Sequence, residues 1–252
     1  MIERIAKRLD INSACVIGST IFKKLFYENA KMSGRDKTIF INQIEKITLL
    51  YSFSPDTINL KPYRDEDREY DEIAVILVEV SRETGIQRIQ DIIQLNIPYP
   101  LVLIFLSGNK LMLNVAHKRI NKADESRNTV EKTVNSRWLD IDKMDLLDQQ
   151  FVDSLYMNRL SFSNCYNFYS DIYNRVILYN LSKYTGDYEG LLGVNPEDAE
   201  KNLKKTTHFD SSIKELRSKM KKEEQLNRRI ELNIKIKGNQ KELENIINML
   251  KR

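Results

Sequence analysis

Residues 97–121, "IPYPLVLIFLSGNKLMLNVAHKRIN", contain the clearest signal for the architecture of this chain. It holds two apolar runs, "LVLIFL" and "KLMLNVAH", on either side of Ser107-Gly108-Asn109. This arrangement is typical of two strands joined by a short hairpin turn. Pro98 and Pro100 stand before the first run and disfavour a helix there. We therefore predict a core hairpin that begins after the prolines and ends in the basic triplet His117-Lys118-Arg119, with His117 as a hydrogen-bonded residue at the strand end.

The segment before this hairpin supplies a strand and a helix. Residues 73–80, "IAVILVEV", are apolar on both faces, which indicates a strand in the centre of a sheet. Residues 82–97 carry isoleucines at helical spacing, namely Ile86, Ile89, Ile92, Ile93 and Ile97. The order strand, helix, strand, strand predicts an α/β (α+β) fold whose mixed sheet has at least one crossover connection.

The segments that flank this centre carry further signals. On the N-terminal side, Ser19-Thr20 predicts the start of a helix over residues 19–31. Ser54-Pro55-Asp56 predicts a turn between two strands. On the C-terminal side, the pattern predicts an edge strand near residues 130–134 and helices from residue 145 onwards. The sheet is therefore expected to be followed by a mostly helical region.

The predicted organisation has three parts. They are a mixed α/β domain over residues 1–140, a helical extension packed on it over residues 141–195, and a basic amphipathic helical tail over residues 196–252. Asn195-Pro196-Glu197 is a helix-start signal, and we expect the tail helix to be interrupted at Gly238-Asn239. Apolar residues of the tail recur roughly in heptad phase, as in a coiled coil: Ile213, Leu216, Met220, Leu226 and Ile230.

Composition limits the classes of protein to which the chain can belong. Of its 252 residues, 41% are hydrophobic and 30% are charged, and no run of about 18 uncharged apolar residues predicts a membrane span. The charged start "MIERIAKRLDIN" does not resemble a signal peptide, so we expect a cytoplasmic protein. Cys15 and Cys165 lack the spacing of a zinc site, and His117 and His208 are the only histidines.

Charge is distributed unevenly along the chain. Residues 201–252 hold 15 Lys/Arg against 7 Asp/Glu, a balance of +8, so the first 200 residues hold 25 against 29, a balance of −4. An acidic body with a basic tail is typical of nucleic-acid partners and of subunits that dock on larger assemblies. A solvated lysine-rich helix would show the same balance, and charge alone leaves both interpretations open.

Motifs for catalysis are sparse. The chain has no GxxxxGK[ST] or GxGxxG sequence, no HExxH and no Cys/His cluster, so we assign no catalytic residue and no cofactor. The alternative hypothesis is a divergent Mg²⁺-dependent nuclease that uses Asp71, Glu79 and Lys118. Glu79 is followed by Val80 and Ser81, however, so the usual Asp…Glu-x-Lys pattern is incomplete.

Two surfaces are candidates for binding. Lysines and arginines at both ends of the second hairpin strand and on the first helix predict a non-specific contact with the DNA backbone, through Lys110, Lys118, Arg119, Lys122, Lys23 and Lys24. The tail is a candidate for a protein partner or for self-association, through Leu226, Arg228, Arg229, Ile230, Ile246 and Leu250. Solubility charges at strand ends would also account for the lysines.

Four short motifs, "FYEN", "PDTINL", "IPYP" and "AHKRIN", stand in this order along the chain. Together with "STIFKKLFYENAK", "EIAVILVEV" and "NRRIELNIKIK", they resemble the bacterial and archaeal domain of unknown function 4391 family over nearly the whole length. That family has no assigned activity, so the resemblance supplies no catalytic residue. Its members are similar in being encoded beside helicases, DNA methyltransferases and type III-like restriction subunits, which implies a role in defence against foreign DNA.

These observations lead to one expectation and one alternative. The expected function is that of a non-catalytic accessory subunit of a prokaryotic helicase- or restriction-type antiviral system, which docks on a larger protein partner and contacts the DNA backbone. The alternative is the Mg²⁺-dependent nuclease of the same kind of system. The sequence does not identify the partner protein.

Overall fold

The computed structural model describes residues 7–30, 32–121 and 128–251. The chain divides into two compact units, residues 1–176 and 177–252. The boundary lies inside a helix, Cys165–Thr185, whereas the sequence predicted boundaries after residues 140 and 195. This helix contains neither glycine nor proline, so nothing in its sequence interrupts it at the boundary.

The first unit is built on a mixed sheet of seven strands. The strands are β1 (Val16–Thr20), β2 (Ile44–Phe53), β5 (Ile73–Val80), β6 (Leu101–Ser107), β7 (Lys110–Ile120), β8 (Asn128–Asn135) and β9 (Leu139–Asp140). Their spatial order is β1-β2-β5-β6-β7-β8, and β9 pairs with β7. Two further short strands, β3 (Tyr63–Arg64) and β4 (Glu69–Tyr70), form a separate ladder.

The predicted centre of the sheet is confirmed. β5 lies between β2 and β6, and it runs parallel to β6 because the helix Ile86–Asn96 connects them as a crossover. All other ladders of the sheet are antiparallel. β6 and β7 form the predicted hairpin, and Gly108 in its turn has φ +60°, a conformation that favours glycine. The mixed α+β class with a crossover helix therefore agrees with the structure.

Six helices belong wholly or partly to the first unit among the described residues. They are α1 (Lys24–Asn29), α2 (Gly34–Gln43), α3 (Pro55–Ile58), α4 (Ile86–Asn96), α5 (Leu146–Ser154) and the part of α6 (Cys165–Thr185) that ends at residue 176. On one sheet face, α2 and α4 pack against a buried cluster that includes Ile76, Leu103 and Phe105. On the other face, Phe168 and Ile172 of α6 approach Val75 and Val102.

Two predicted elements of the N-terminal half are wrong. The strand expected after Ser54-Pro55-Asp56 is the short helix α3, because Pro55 occupies its first position and the Ser54 amide donates to Thr57 Oγ1 at 2.9 Å. The helix expected from residue 19 begins at Lys24, since residues 16–20 form β1. The Ile21 amide extends that pairing by donating to the Ile47 carbonyl at 2.9 Å.

The second unit is dominated by two long helices joined by three residues, α7 (Pro196–Lys222) and α8 (Leu226–Leu250). They form a helical hairpin, in which Asn239 Nδ2 donates to Ser212 Oγ at 2.9 Å. The predicted start of α7 is confirmed, because the Asn195 side chain accepts from the Glu197 amide at 2.9 Å.

The predicted interruption at Gly238-Asn239 is wrong. α8 continues through both residues, and the break lies instead at residues 223–225. A glycine inside a helix costs about 1 kcal/mol relative to alanine. Packing of Ile236 and Ile246, which are buried, offsets that cost. Within the described residues, no helix is long and apolar enough to cross a membrane.

Candidate functional site

The structure separates the carboxylates of the nuclease alternative. Asp71 stands just before β5 and Glu79 is the last residue but one of that strand. At about 3.3 Å per residue, eight residues place them roughly 26 Å apart, too far to share a metal ion. Asp71 is also engaged by Arg64, whose Nε and Nη2 donate to its two oxygens at 2.9 and 2.5 Å. The described residues contain no group of three or more His, Cys, Asp or Glu arranged to hold a metal.

Lys118 lies in the interior, at the end of β7. Its side chain is only 2% exposed, and Nζ donates to the carbonyl oxygens of Ile97 at 2.6 Å and Tyr99 at 2.7 Å. Both carbonyls belong to the short loop between α4 and β6, and Nζ supplies them with a donor. Burial lowers the pKa of Lys118 to about 7, because the charged ammonium is poorly solvated.

This placement is incompatible with the predicted contact between Lys118 and a DNA phosphate, because the ammonium does not reach the surface. Lys118 is also too far from Glu79 to act with it in the nuclease alternative, since Glu79 lies near the opposite end of the neighbouring strands. The geometry gives Lys118 a structural task, which is to satisfy the carbonyls that follow α4. No local pattern in the sequence predicts this burial.

His117 takes part in a buried aromatic cluster. The Tyr70 hydroxyl lies 3.0 Å from His117 Nδ1 and accepts from the Lys118 amide at 3.0 Å. The rings of Tyr166, Tyr169 and Tyr173 surround the imidazole with centroid distances between 4.6 and 5.5 Å. Burial raises the pKa of Tyr70 well above its usual value. The prediction of a hydrogen-bonded His117 is confirmed, but β7 continues to Ile120, so His117 lies within the strand and pairs with Lys132 of β8.

Tyr169 was not singled out by the sequence, yet its hydroxyl bridges two strands. It donates to the Leu101 carbonyl at 2.7 Å, and it accepts from the Ala116 amide at 2.8 Å. Leu101 begins β6, and Ala116 lies beyond the last residue of β7 that pairs with it. The hydroxyl therefore joins the hairpin where its two strands separate. An aromatic helix with spacing typical of a core gives no indication of such a bond.

The other described residues of the predicted DNA contact do not form one patch. Lys110 pairs with Glu83 at 2.8 Å, and Lys24 pairs with Glu28 at 3.4 Å. Lys23 Nζ donates to the carbonyls of Ile41 and Ile44 at 3.1 and 2.8 Å. Arg119 is exposed, but nine residues of strand, roughly 30 Å, separate it from Lys110. Lys122 lies outside the described residues.

Positive charge gathers instead at the tip of the helical hairpin in the second unit. Lys219, Lys222, Arg228 and Lys235 line a groove of about 420 Å³ together with Glu223, Glu231 and Leu232, and we call this the basic groove. Lys219 is paired with Glu215 at 2.6 Å. Of the predicted partner-binding residues, Arg228 therefore lines the groove, and Arg229 is exposed beside it.

The apolar residues predicted to bind a partner divide into two groups. Leu226 and Ile230 are 70% and 50% exposed, and Ile234, four residues further along, is 64% exposed. We call these three residues the outer stripe. Ile246, by contrast, is buried, and Leu250 is half-buried beside Asp198 and Lys201 at the start of α7. The structure therefore leaves the outer stripe available for contact and covers Ile246 and part of Leu250.

A mixed sheet with one crossover helix, followed in the chain by a unit with a helical hairpin, defines an α+β protein. The chain belongs to the family described as Domain of unknown function (DUF4391), whose model matches residues 9–243. No curated protein and no solved structure matches it. The match spans both units and supports the resemblance drawn from the short motifs.

Proposed function

We propose that this protein is a cytoplasmic, non-catalytic accessory subunit of a prokaryotic antiviral system of the helicase or restriction type. It docks on a larger helicase, methyltransferase or restriction subunit through its helical hairpin. The observation that carries the docking role is the outer stripe, because each of its three large apolar side chains is at least half exposed to water on one helix face. The antiviral setting rests on what the family resemblance implies.

The physical reason is the cost of exposing apolar surface. Covering a large aliphatic side chain stabilises a complex by roughly 1.5–3 kcal/mol when it is fully removed from water. Scattered exposed apolar residues need no explanation, but a contiguous row marks an interaction surface. The three members of the outer stripe are spaced four residues apart and so form such a row.

Contact with the DNA backbone is a second part of the proposal. It is supported by the basic groove, where four cations stand beside two carboxylates. Such contacts release counterions, so affinity for duplex DNA should fall steeply as salt is raised. Anisotropy of a labelled duplex at several salt concentrations tests this part, and binding that does not change with salt speaks against it. The nuclease alternative gains no support from the placement of Asp71, Glu79 and Lys118.

Docking is tested by affinity purification of the tagged full chain from its native host. A stripe variant (Leu226→Ser, Ile230→Ser, Ile234→Ser) is compared with a control that changes exposed polar positions of the same helix (Asn227→Ser, Asn233→Ser, Gln240→Ser). We expect a helicase, methyltransferase or restriction subunit, identified by mass spectrometry, with the native chain and with the control but not with the stripe variant. Recovery of this protein alone from all three would overturn the proposal.

A further inference from the structure

The outer stripe lies on the face of α8 that α7 does not cover. The helix turns by about 100° per residue, so positions 226, 230 and 234 share one face. Leu232, Ile236, Leu243 and Ile246 lie on the opposite side, and these residues are buried or half-buried within the hairpin. The stripe extends over eight residues, about 12 Å along the helix axis. A segment that covers the outer stripe must therefore come from outside the hairpin.

The spacing of the stripe suits a helix. Rows of side chains four residues apart form ridges that pack into the grooves of a second helix at an interaxial distance of about 8–10 Å. An amphipathic partner helix supplies matching apolar residues three and four positions apart. An extended strand presents alternate side chains roughly 7 Å apart on a flat surface and does not interlock with such ridges.

The charge around the stripe defines the chemistry of that helix. Residues 226–241 contain five Lys/Arg, which are Arg228, Arg229, Lys235, Lys237 and Lys241, against the single carboxylate of Glu231. None of the five forms an ion pair with any residue that the structure describes. Lys237 and Lys241 continue the spacing of the stripe by three and four residues, so they lie on the same face. The first turn of α8 contains no acidic residue, and the positive end of its dipole is uncompensated by a side chain there.

This charge disfavours a second copy of the same surface. Two outer stripes packed face to face would bring together two segments that each hold five Lys/Arg against the one carboxylate of Glu231. It also argues against DNA at the stripe itself, because phosphates give no reason to cover leucine and isoleucine side chains. A partner with apolar residues on one face and carboxylates along its edges satisfies both features.

We therefore infer that the outer stripe binds an acidic amphipathic helix of the partner protein. This inference rests on the proposed docking function and names the chemistry of the docked segment. The apolar face of that helix covers Leu226, Ile230 and Ile234, and its flanking Glu or Asp side chains pair with Arg229, Lys237 and Lys241.

The test uses the full chain and two designed, labelled helical peptides. Both carry leucines at alternating spacings of three and four; one has glutamates and the other has lysines at the flanking positions. Fluorescence anisotropy should show about tenfold tighter binding of the acidic peptide at low salt, with the preference shrinking as salt screens the pairs. The stripe variant should lose binding of both peptides. Lys237→Glu with Lys241→Glu should reverse or abolish the preference while circular dichroism stays unchanged.

The outcomes separate the inference from the docking function. Equal affinity for the two peptides, or no binding of either, overturns the acidic-helix inference, whereas the docking function stands if the native-host partner still depends on the stripe. Light scattering on the full chain tests the remaining candidate, which is a second copy of this chain bound at the outer stripe. A dimer that the stripe variant converts to a monomer overturns the acidic helix in favour of self-association.

Discussion

The two faces of the sheet in the first unit are built differently. Beneath α2 and α4 the apolar side chains are almost completely covered, and the same face also contains buried amides and the buried ammonium of Lys118. The opposite face, beneath α6, is lined by apolar and aromatic side chains around a cavity of about 90 Å³. Polar groups are thus buried on the face beneath α2 and α4, the tight face, where Gln94, Asn114 and Lys118 form hydrogen bonds, while the opposite face has an apolar cavity that is less well filled.

The difference shows that side-chain polarity alone does not decide how well an interface packs. On the tight face, Gln94 Nε2 donates to Asn114 Oδ1 at 2.8 Å, and Asn114 Nδ2 donates to Asn135 Oδ1 at 2.7 Å. These directional bonds fix the distance between α4 and the sheet. Around the cavity on the other face, only the shapes of apolar side chains set the fit, and bulky side chains such as Phe53 and Phe168 leave a gap.

The largest expected effect distinguishes two neighbours on β6. Phe105 points into the tight face and is fully buried, whereas Ile104 lines the cavity and is half-buried. Phe105→Ala should lower the free energy of unfolding by about 3–5 kcal/mol, because it removes well-packed atoms and leaves a void. Ile104→Ala should cost no more than about half as much. Urea unfolding of both variants measures the difference, and equal losses would contradict the contrast between the faces.

A smaller loss is expected from the amide network. Asn114→Leu removes both bonds described above and the one to Thr133 Oγ1 at 3.0 Å, and it leaves the buried Gln94 amide without that acceptor. The free energy of unfolding should fall by about 1–3 kcal/mol, although leucine is more hydrophobic. Leu113→Met on the opposite face is the matched control, with an expected change below about 1.5 kcal/mol. A neutral Asn114→Leu would show that the network contributes little.

The burial of Lys118 on the tight face makes the free energy of unfolding depend on pH. Because its pKa is about 7 in the folded chain and near 10 in the unfolded chain, the unfolded chain binds more protons at any pH between these values. The free energy of unfolding should therefore rise as pH is raised from about 7 towards 10. Lys118→Met should reduce that rise, and Lys110→Met, which removes an exposed ion pair, should preserve it. Urea unfolding at pH 7 and pH 9.5 would contradict this prediction if all three chains changed equally.

The smallest expected effect is a gain in stability from filling the cavity on the face beneath α6. Val102 lines the cavity, and Val102→Ile adds one methylene, which contributes about 0.8 kcal/mol when it is buried without strain. Thermal unfolding should shift upward by a few degrees at most. The same enlargement of Ala74 on the tight face, Ala74→Val, should instead destabilise the protein through overcrowding. A gain from both substitutions would mean that the two faces are equally loose.

The sequence predicted the parts of the fold that depend on periodicity. The run at residues 73–80 has no polar face, so only a central strand suits it, and β5 is one. The hairpin turn and the start of α7 were likewise local signals. The position of Lys118 was not predictable, because its burial depends on carbonyls that follow α4, some twenty residues earlier. Nor was the continuity of α8, since a glycine signals a break unless packing elsewhere offsets its cost.

The candidate sites show the same limit. Exposed Leu226 and Ile230 and buried Ile246 belong to one amphipathic pattern, and only the position of α7 decides which of them remain open. The separation of Asp71 from Glu79 follows from the length of β5, at whose two ends the nuclease alternative places these carboxylates. The local sequence of α8 does not show which of its faces α7 covers.

The bridge made by Tyr169 has a consequence for amide hydrogen exchange. The Ala116 amide is protected by a phenol from α6 and not by a neighbouring strand, so its protection reports the attachment of that helix to the sheet. Amides within the paired part of β6 and β7 report the opening of the hairpin instead. In Tyr169→Phe, amide exchange at Ala116 should become fast while the rest of the hairpin stays slow. In the native chain, the exchange rate of this one amide would then report how often α6 separates from the sheet.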